Sequence, residues 1–227
     1  MVLDVMKLNL FTGFTNKMVS YHANKSNGFT IIELMIATTV FSLVLLLCTF
    51  GLLQIGRVYY KGVTGARVQE SLRNVTDEIS RSIQFSGGTV VPSPSTITPG
   101  TAFVFCIDDQ RYSAVTDRQL TETNPNPILS QTYHVLVVDT LSGCNSSSPP
   151  QDLTQPVVNG KELLGPNMRL SKLEVKTTGT NLYQINIRIV YGDDDILNAA
   201  HTSCADVRAG TQFCAANEFN TVVQKRL

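Results

Sequence analysis

The chain has 227 residues, of which 43% are hydrophobic and 16% are charged, and its 18 basic and 18 acidic side chains cancel. This length suits one domain with appendages, and the apolar content excludes a disordered chain. A neutral chain also lacks the broad basic surface that nonspecific nucleic-acid binding requires.

An uncharged run of 23 residues extends from Leu34 to Gly56. As a helix it would be about 34 Å long at ~1.5 Å per residue, enough to span a bilayer core of roughly 30 Å. It is longer than the apolar region of a secretory signal peptide, and no small-residue cleavage site follows Leu53 before Arg57. Three lysines and one aspartate precede the run. The positive-inside rule therefore predicts a cytoplasmic N-terminus and an extracytoplasmic C-terminal part.

A single carboxylate lies at the start of this run, in the sequence Lys25-Ser26-Asn27-Gly28-Phe29-Thr30-Ile31-Ile32-Glu33. An acid inside a bilayer helix costs on the order of 2.5–3.5 kcal/mol, so Glu33 is expected to have a functional partner. The alternative is that Glu33 lies at the cytoplasmic interface of a simple membrane anchor. Cys48, within the run, is interpreted as a small apolar residue.

The order of basic leader, Gly28-Phe29, Glu33 and apolar helix resembles the class III signal of type IV pilins and pseudopilins. The resemblance implies that a prepilin peptidase cleaves after Gly28, with Lys25 in the removed leader, and that Phe29 is then N-methylated. It further implies that Glu33 acts in assembly with other pilin subunits, on an assembly platform in the bacterial inner membrane. Among these families the chain is most similar to a minor pilin or a larger pseudopilin.

An amphipathic continuation of the same helix is predicted beyond Arg57. Its apolar residues are spaced by four, three, four and four positions, which places them on one helical face: Val68, Leu72, Val75, Ile79 and Ile83. Gly87-Gly88 and the proline-rich segment after them end the helix. The expected organisation is a leader over 1–28, a membrane or filament-core helix over 29–56, an amphipathic helix over 57–86 and a β-rich domain over 87–227.

The C-terminal domain is predicted to be an antiparallel sheet, which makes the fold class α+β with one long N-terminal helix packed on that sheet. Runs rich in β-branched and aromatic residues predict strands at Ala102–Ile107, Thr132–Val138, Leu170–Lys176, Leu182–Tyr191 and Phe219–Gln224. A hairpin is expected around 178–181, because turn residues separate two of these runs there.

Four further cysteines follow the predicted span: Cys106, Cys144, Cys204 and Cys214. An even number outside the cytoplasm predicts disulfides, with three possible connectivities. The short intervening loop favours Cys204 with Cys214, which would leave Cys106 with Cys144. A zinc site is the alternative, although no Cys-x-x-Cys or Cys/His cluster with ligand spacing occurs in the sequence.

No motif for enzymatic chemistry was found, so a non-enzymatic protein is predicted. The triplet Asp193-Asp194-Asp195 is a weak candidate for binding calcium, with a solvated acidic turn as the alternative, and no other cofactor is predicted. Without residues 1–28 the chain keeps 15 basic and 17 acidic side chains, and this net negative charge predicts no general affinity for nucleic acids.

Three functions are compatible with these patterns. The favoured one is a filament subunit of a type IV pilus, a type II secretion pseudopilus or a competence filament. The second is an unprocessed, single-span envelope binding or sensor protein, and the third is a membrane-anchored envelope enzyme. Retention of the leader in the mature chain would favour either alternative.

Overall fold

The computed structural model describes residues 28–120, 134–154, 160–206 and 210–226. Its contacts divide the chain into two units, one ending at Thr49 and the other running from Phe50 to Leu227. Lys25 and part of the predicted strand Thr132–Val138 lie outside the described residues.

One α-helix, α1, runs from Ile31 to Phe85. It begins two residues later than the motif-based start at Phe29. The predicted apolar stripe is confirmed, since Val68, Leu72, Val75, Ile79 and Ile83 are all buried. All buried residues of α1 lie at or after Thr64.

The first sheet contains five strands in sequence order: β1 (Val90–Val91), β2 (Ala102–Ile107), β3 (Gln110–Val115), β4 (Leu136–Thr140) and β5 (Gly160–Glu162). Every pairing is antiparallel. The sequence did not predict β3, which follows a two-residue turn at Asp108-Asp109 in which Asp108 has a φ of 57°. Its polar residues weaken the strand signal that apolar β2 carries.

The second sheet contains three antiparallel strands: β6 (Met168–Gly179), β7 (Leu182–Tyr191) and β8 (Ala215–Gln224). The predicted hairpin is present, with Thr180 and Asn181 as the turn. Asn181 has a φ of 61°, a conformation that Asn tolerates better than most residues. The strands are thus antiparallel as expected, but they form two sheets.

A continuous core joins the helix to both sheets. Its members include Ile79 and Ile83 from α1, Phe105 and Leu136 from the first sheet, and Ile187 from the second. The Phe105 and Tyr112 rings stack on neighbouring strands, with centroids 4.7 Å apart.

Strand β8 runs alongside the C-terminal part of α1. Before the strand begins, the Phe213 ring lies 5.1 Å from that of Tyr60. After it ends, the Arg226 backbone N–H donates to the carbonyl of Gln84 at 3.1 Å. The strand therefore follows the helix in the same direction, from the level of Tyr60 to that of Phe85.

Candidate processing and assembly segment

The predicted cleavage point precedes the helix. Gly28, Phe29 and Thr30 are exposed and have no regular structure, and the Phe29 side chain is 85% exposed. Exposed backbone outside helices and strands is the preferred substrate of peptidases. The bond between Gly28 and Phe29 is thus accessible in this chain.

Glu33 has a contact that the sequence analysis did not anticipate. Its Oε2 accepts hydrogen bonds from the Thr30 backbone N–H and from Thr30 Oγ1, both at 2.9 Å. The Glu33 backbone N–H donates in return to Thr30 Oγ1 at 3.3 Å. This reciprocal pair is a capping box, which the pattern Thr30-x-x-Glu33 would have indicated. Glu33 therefore stabilises the start of α1 as well as placing a charge there.

The helix surface that follows is apolar and open. Across its most hydrophobic window none of the residues is buried, and α1 is the one helix among the described residues long and apolar enough to cross a membrane. Its hydroxyl groups bond within the helix. Thr38, Thr39 and Ser42 donate to backbone carbonyls three or four residues earlier, at 2.8–3.0 Å. Hydroxyls satisfied in this way can face lipid or another apolar helix at low cost.

Residues 23–49 match the family model described as the Prokaryotic N-terminal methylation motif. The N-terminal segment is therefore of the prepilin type, similar to that of type IV pilins and pseudopilins. The match includes Lys25, Gly28, Phe29 and Glu33 and ends within the apolar run. A long helix packed with antiparallel sheets is also consistent with the type IV pilin fold. No curated protein and no solved structure matches the chain.

Two disulfides stabilise the β-rich part of this pilin-like chain. Cys204 pairs with Cys214, and Cys106 pairs with Cys144. This is the connectivity that loop length favours, and it leaves no role for these cysteines as zinc ligands. Cys48 is unpaired and exposed on the apolar helix.

The aspartate triplet lies at a short 3-10 helix, Asp194–Ile196. Asp193 Oδ1 accepts from Gln119 Nε2 at 3.2 Å, and Asp194 Oδ1 accepts from Arg169 Nη2. Within the described residues, no group of three or more His, Cys, Asp or Glu side chains could hold a metal ion. Calcium binding stays a prediction that these contacts do not support.

The buried Arg169 joins the two sheets, and no sequence signal indicated it. It lies on β6, with its side chain 4% exposed, and bonds Asp117 Oδ1 at 2.9 Å as well as Asp194. Asp117 follows β3 and also lies 2.7 Å from His201 Nδ1. Because a buried cation needs carboxylate partners, this cluster fixes the loops of both sheets around Arg169.

His134 has a similar structural contact. It precedes β4 rather than lying within a strand, and its Nδ1 is 3.3 Å from Glu162 Oε2. The same carboxylate accepts the backbone N–H groups of Val135 and Leu136 at 2.9 and 3.1 Å. These bonds attach β5 to β4. Pilins and pseudopilins are typically structural rather than catalytic.

Proposed function

We propose that this protein is a minor pilin or pseudopilin, a subunit that assembles through its N-terminal helix into a type IV pilus-like filament. The observation that carries the proposal is the methylation motif placed directly before an exposed apolar helix, with Glu33 as the one acid at the junction. An apolar helix of this kind needs lipid before assembly and other helices afterwards. The large two-sheet domain favours a minor subunit or a larger pseudopilin over a major pilin.

Cleavage after Gly28 would create a positive charge that can pair with the Glu33 carboxylate. A free α-amine on Phe29 has an ordinary pKa near 7.7–8.0 and is mostly cationic at neutral pH. In an apolar bundle, the amine of one subunit and Glu33 of a neighbour would compensate each other. Removing one partner of such a buried pair costs about 3–5 kcal/mol, because the other charge is left unpaired.

The first test is N-terminal sequencing and intact mass of the full chain recovered from membranes, in cells with and without an active prepilin peptidase. We expect a mature chain that begins at methylated Phe29 only where the peptidase is active. A chain that begins at Met1 in both cells would refute the proposal. It would favour the unprocessed anchor instead, with Glu33 acting only as a helix cap.

The capping box allows a sharper test of Glu33. Glutamine at this position still accepts the Thr30 N–H, as capping boxes permit, but carries no charge. If assembly needs the charge, Glu33→Gln and Glu33→Ala should both reduce incorporation into filaments by roughly a hundredfold or more. If only the cap matters, Glu33→Gln should assemble normally. Glu70→Gln, which removes an exposed acid elsewhere on α1, is the matched control.

A further inference from the structure

Aromatic and basic side chains gather where the uncharged run ends. The exposed apolar residues Leu52, Leu53 and Ile55 are followed by Tyr59 and Tyr60, which are 66% and 50% exposed. Two basic residues, Arg57 and Lys61, flank the tyrosines. Tyrosine and basic residues are the types that proteins place at the boundary between lipid tails and water.

A second part of the chain joins this group. Phe213 ends the short 3-10 helix Thr211–Phe213, beside the disulfide at Cys214. Its ring lies 5.1 Å from Tyr60, and the Tyr60 ring lies 5.9 Å from Tyr59. Phe213 nevertheless remains 43% exposed. Tyr59, Tyr60 and Phe213 thus form one aromatic patch that helix packing leaves partly uncovered.

The polar surroundings of the aromatic patch are mainly basic. Arg57 and Lys61 line a cleft between α1 and the loop that the Cys204–Cys214 disulfide closes, together with Thr211 and Gln212 of that loop. Among the described residues that line the same cleft, Asp206 is the one acid. The two cations and one anion of that described lining give a net positive charge, which attracts the phosphates of lipid headgroups.

We propose that the aromatic patch lies in the headgroup layer of the membrane, so that the β-rich domain is docked on the bilayer and not merely tethered to it. Tyr60 is four residues beyond Gly56, which is about 6 Å along a helix. The headgroup layer on each side of a bilayer is roughly 5–7 Å thick. A helix inserted as far as Gly56 therefore places Tyr60, and with it Phe213, at headgroup depth.

This inference rests on the membrane anchoring within the proposed function. It adds that the disulfide-closed C-terminal region itself contacts lipid before assembly. Entry into a filament would then have to break this contact, together with withdrawing the apolar helix from the bilayer. A neighbouring subunit covering the same patch is the competing occupant, which the experiment distinguishes.

The chain contains no tryptophan, so one introduced tryptophan reports on one position. The test variant is Phe213→Trp. The matched control is Phe219→Trp on β8, where the side chain is 42% exposed. Phe213 precedes β8, and the four strand steps from Ala215 to Phe219 alone extend about 13 Å at ~3.3 Å per residue. The full chain is reconstituted in vesicles of phosphatidylethanolamine and phosphatidylglycerol, and quenching by shallow brominated lipids is compared with quenching by aqueous acrylamide.

We expect lipid to quench Phe213→Trp severalfold more than Phe219→Trp, and acrylamide to show the reverse order. Equal lipid quenching at the two positions would overturn the inference. Protection of Phe213→Trp from both quenchers would also overturn it, because the patch would then be covered by protein. The measurement is then repeated at about one chain per vesicle. If the protection disappears there, the protein that covered the patch was a second copy of the chain.

Flotation of the vesicles separates this inference from the anchoring on which it rests. Chains that fail to float with lipid would refute both. Chains that float while Phe213→Trp behaves as an aqueous residue would refute only docking. Intact mass under nonreducing conditions verifies that both disulfides are retained in each variant. A lack of lipid quenching can then not be attributed to loss of the disulfides.

Discussion

Ionisation of the buried Tyr112 hydroxyl should lower the free energy of unfolding of this protein as the pH rises above about 10. The side chain is buried, and its oxygen lies 2.8 Å from Ser82 Oγ on α1 and 3.0 Å from Gln110 Oε1. Burial raises the pKa of Tyr112 to about 12, and the carboxylate of Glu78 adds to the rise, whereas the Ser82 hydrogen bond opposes it. The folded protein therefore keeps this phenol protonated where the unfolded chain ionises it.

At neutral pH, Tyr112→Phe should lower the free energy of unfolding by about 1 kcal/mol through the lost hydrogen bonds. The pKa in the unfolded chain is near 10, so the contribution of protonated Tyr112 is complete below pH 10 and is lost between pH 10 and about 12. At roughly pH 11 the wild type has lost about 1.4 kcal/mol relative to neutral pH, whereas the variant has no phenol at this position and loses nothing by ionisation there. The two stability curves should therefore cross near that pH.

The assay is denaturant unfolding of the full chain in detergent micelles at a series of pH values. Ser82→Ala is the control, because it removes the same hydrogen bond from α1 but keeps the phenol. It should cost a similar amount at pH 7 and then lose stability above pH 10 at least as steeply as the wild type, because the Ser82 hydrogen bond opposes the rise in the Tyr112 pKa. Parallel curves for Tyr112→Phe and the wild type between pH 10 and 12 would show that Tyr112 ionisation does not limit stability.

Two further predictions concern the core and the disulfides. Ile79→Ala should lower the unfolding free energy by about 2–5 kcal/mol, because Ile79 is buried in the core that joins α1 to both sheets. The shift of the denaturant midpoint measures this loss. A smaller shift would mean that neighbouring side chains relax into the cavity that the substitution leaves. Replacing Cys106 and Cys144 by serine should destabilise more than replacing Cys204 and Cys214, by about 3.9 against about 2.7 kcal/mol, because the first pair closes 38 residues and the second 10. Equal losses in the two double variants would contradict the loop-entropy argument.

The helix and its buried face were predictable because their signals are local. The spacing of Val68, Leu72 and Val75 follows from helical geometry alone, and all three are buried. The β-branched and aromatic run over Leu182–Tyr191 likewise predicted β7, and Ile185, Ile187 and Ile189 of that strand are buried. Weakly patterned strands escaped detection. The polar strand β3 and the two-residue strand β1 depend on neighbouring strands for their hydrogen bonds, so their own sequences say little.

The candidate site likewise contains residues that could be identified from the sequence and contacts that could not. Gly28, Phe29 and Glu33 were identified from sequence, because peptidase recognition and the cost of a charge in an apolar helix both act on contiguous residues. The capping box with Thr30 was also readable and was missed. By contrast, Arg169 with Asp117, and Phe213 with Tyr60, are contacts between residues far apart in the chain.

The sequence by itself determined that this chain carries a prepilin-type segment, an apolar helix and an amphipathic continuation, since composition and period along one stretch are sufficient for each. The tertiary structure decided that the strands form two sheets, that Arg169 holds them together, and that the C-terminal disulfide region meets the helix just beyond the apolar run. Those outcomes depend on which distant segments pair, and the free energy of such pairing is shared among many residues, none of which carries a local signature of its partner.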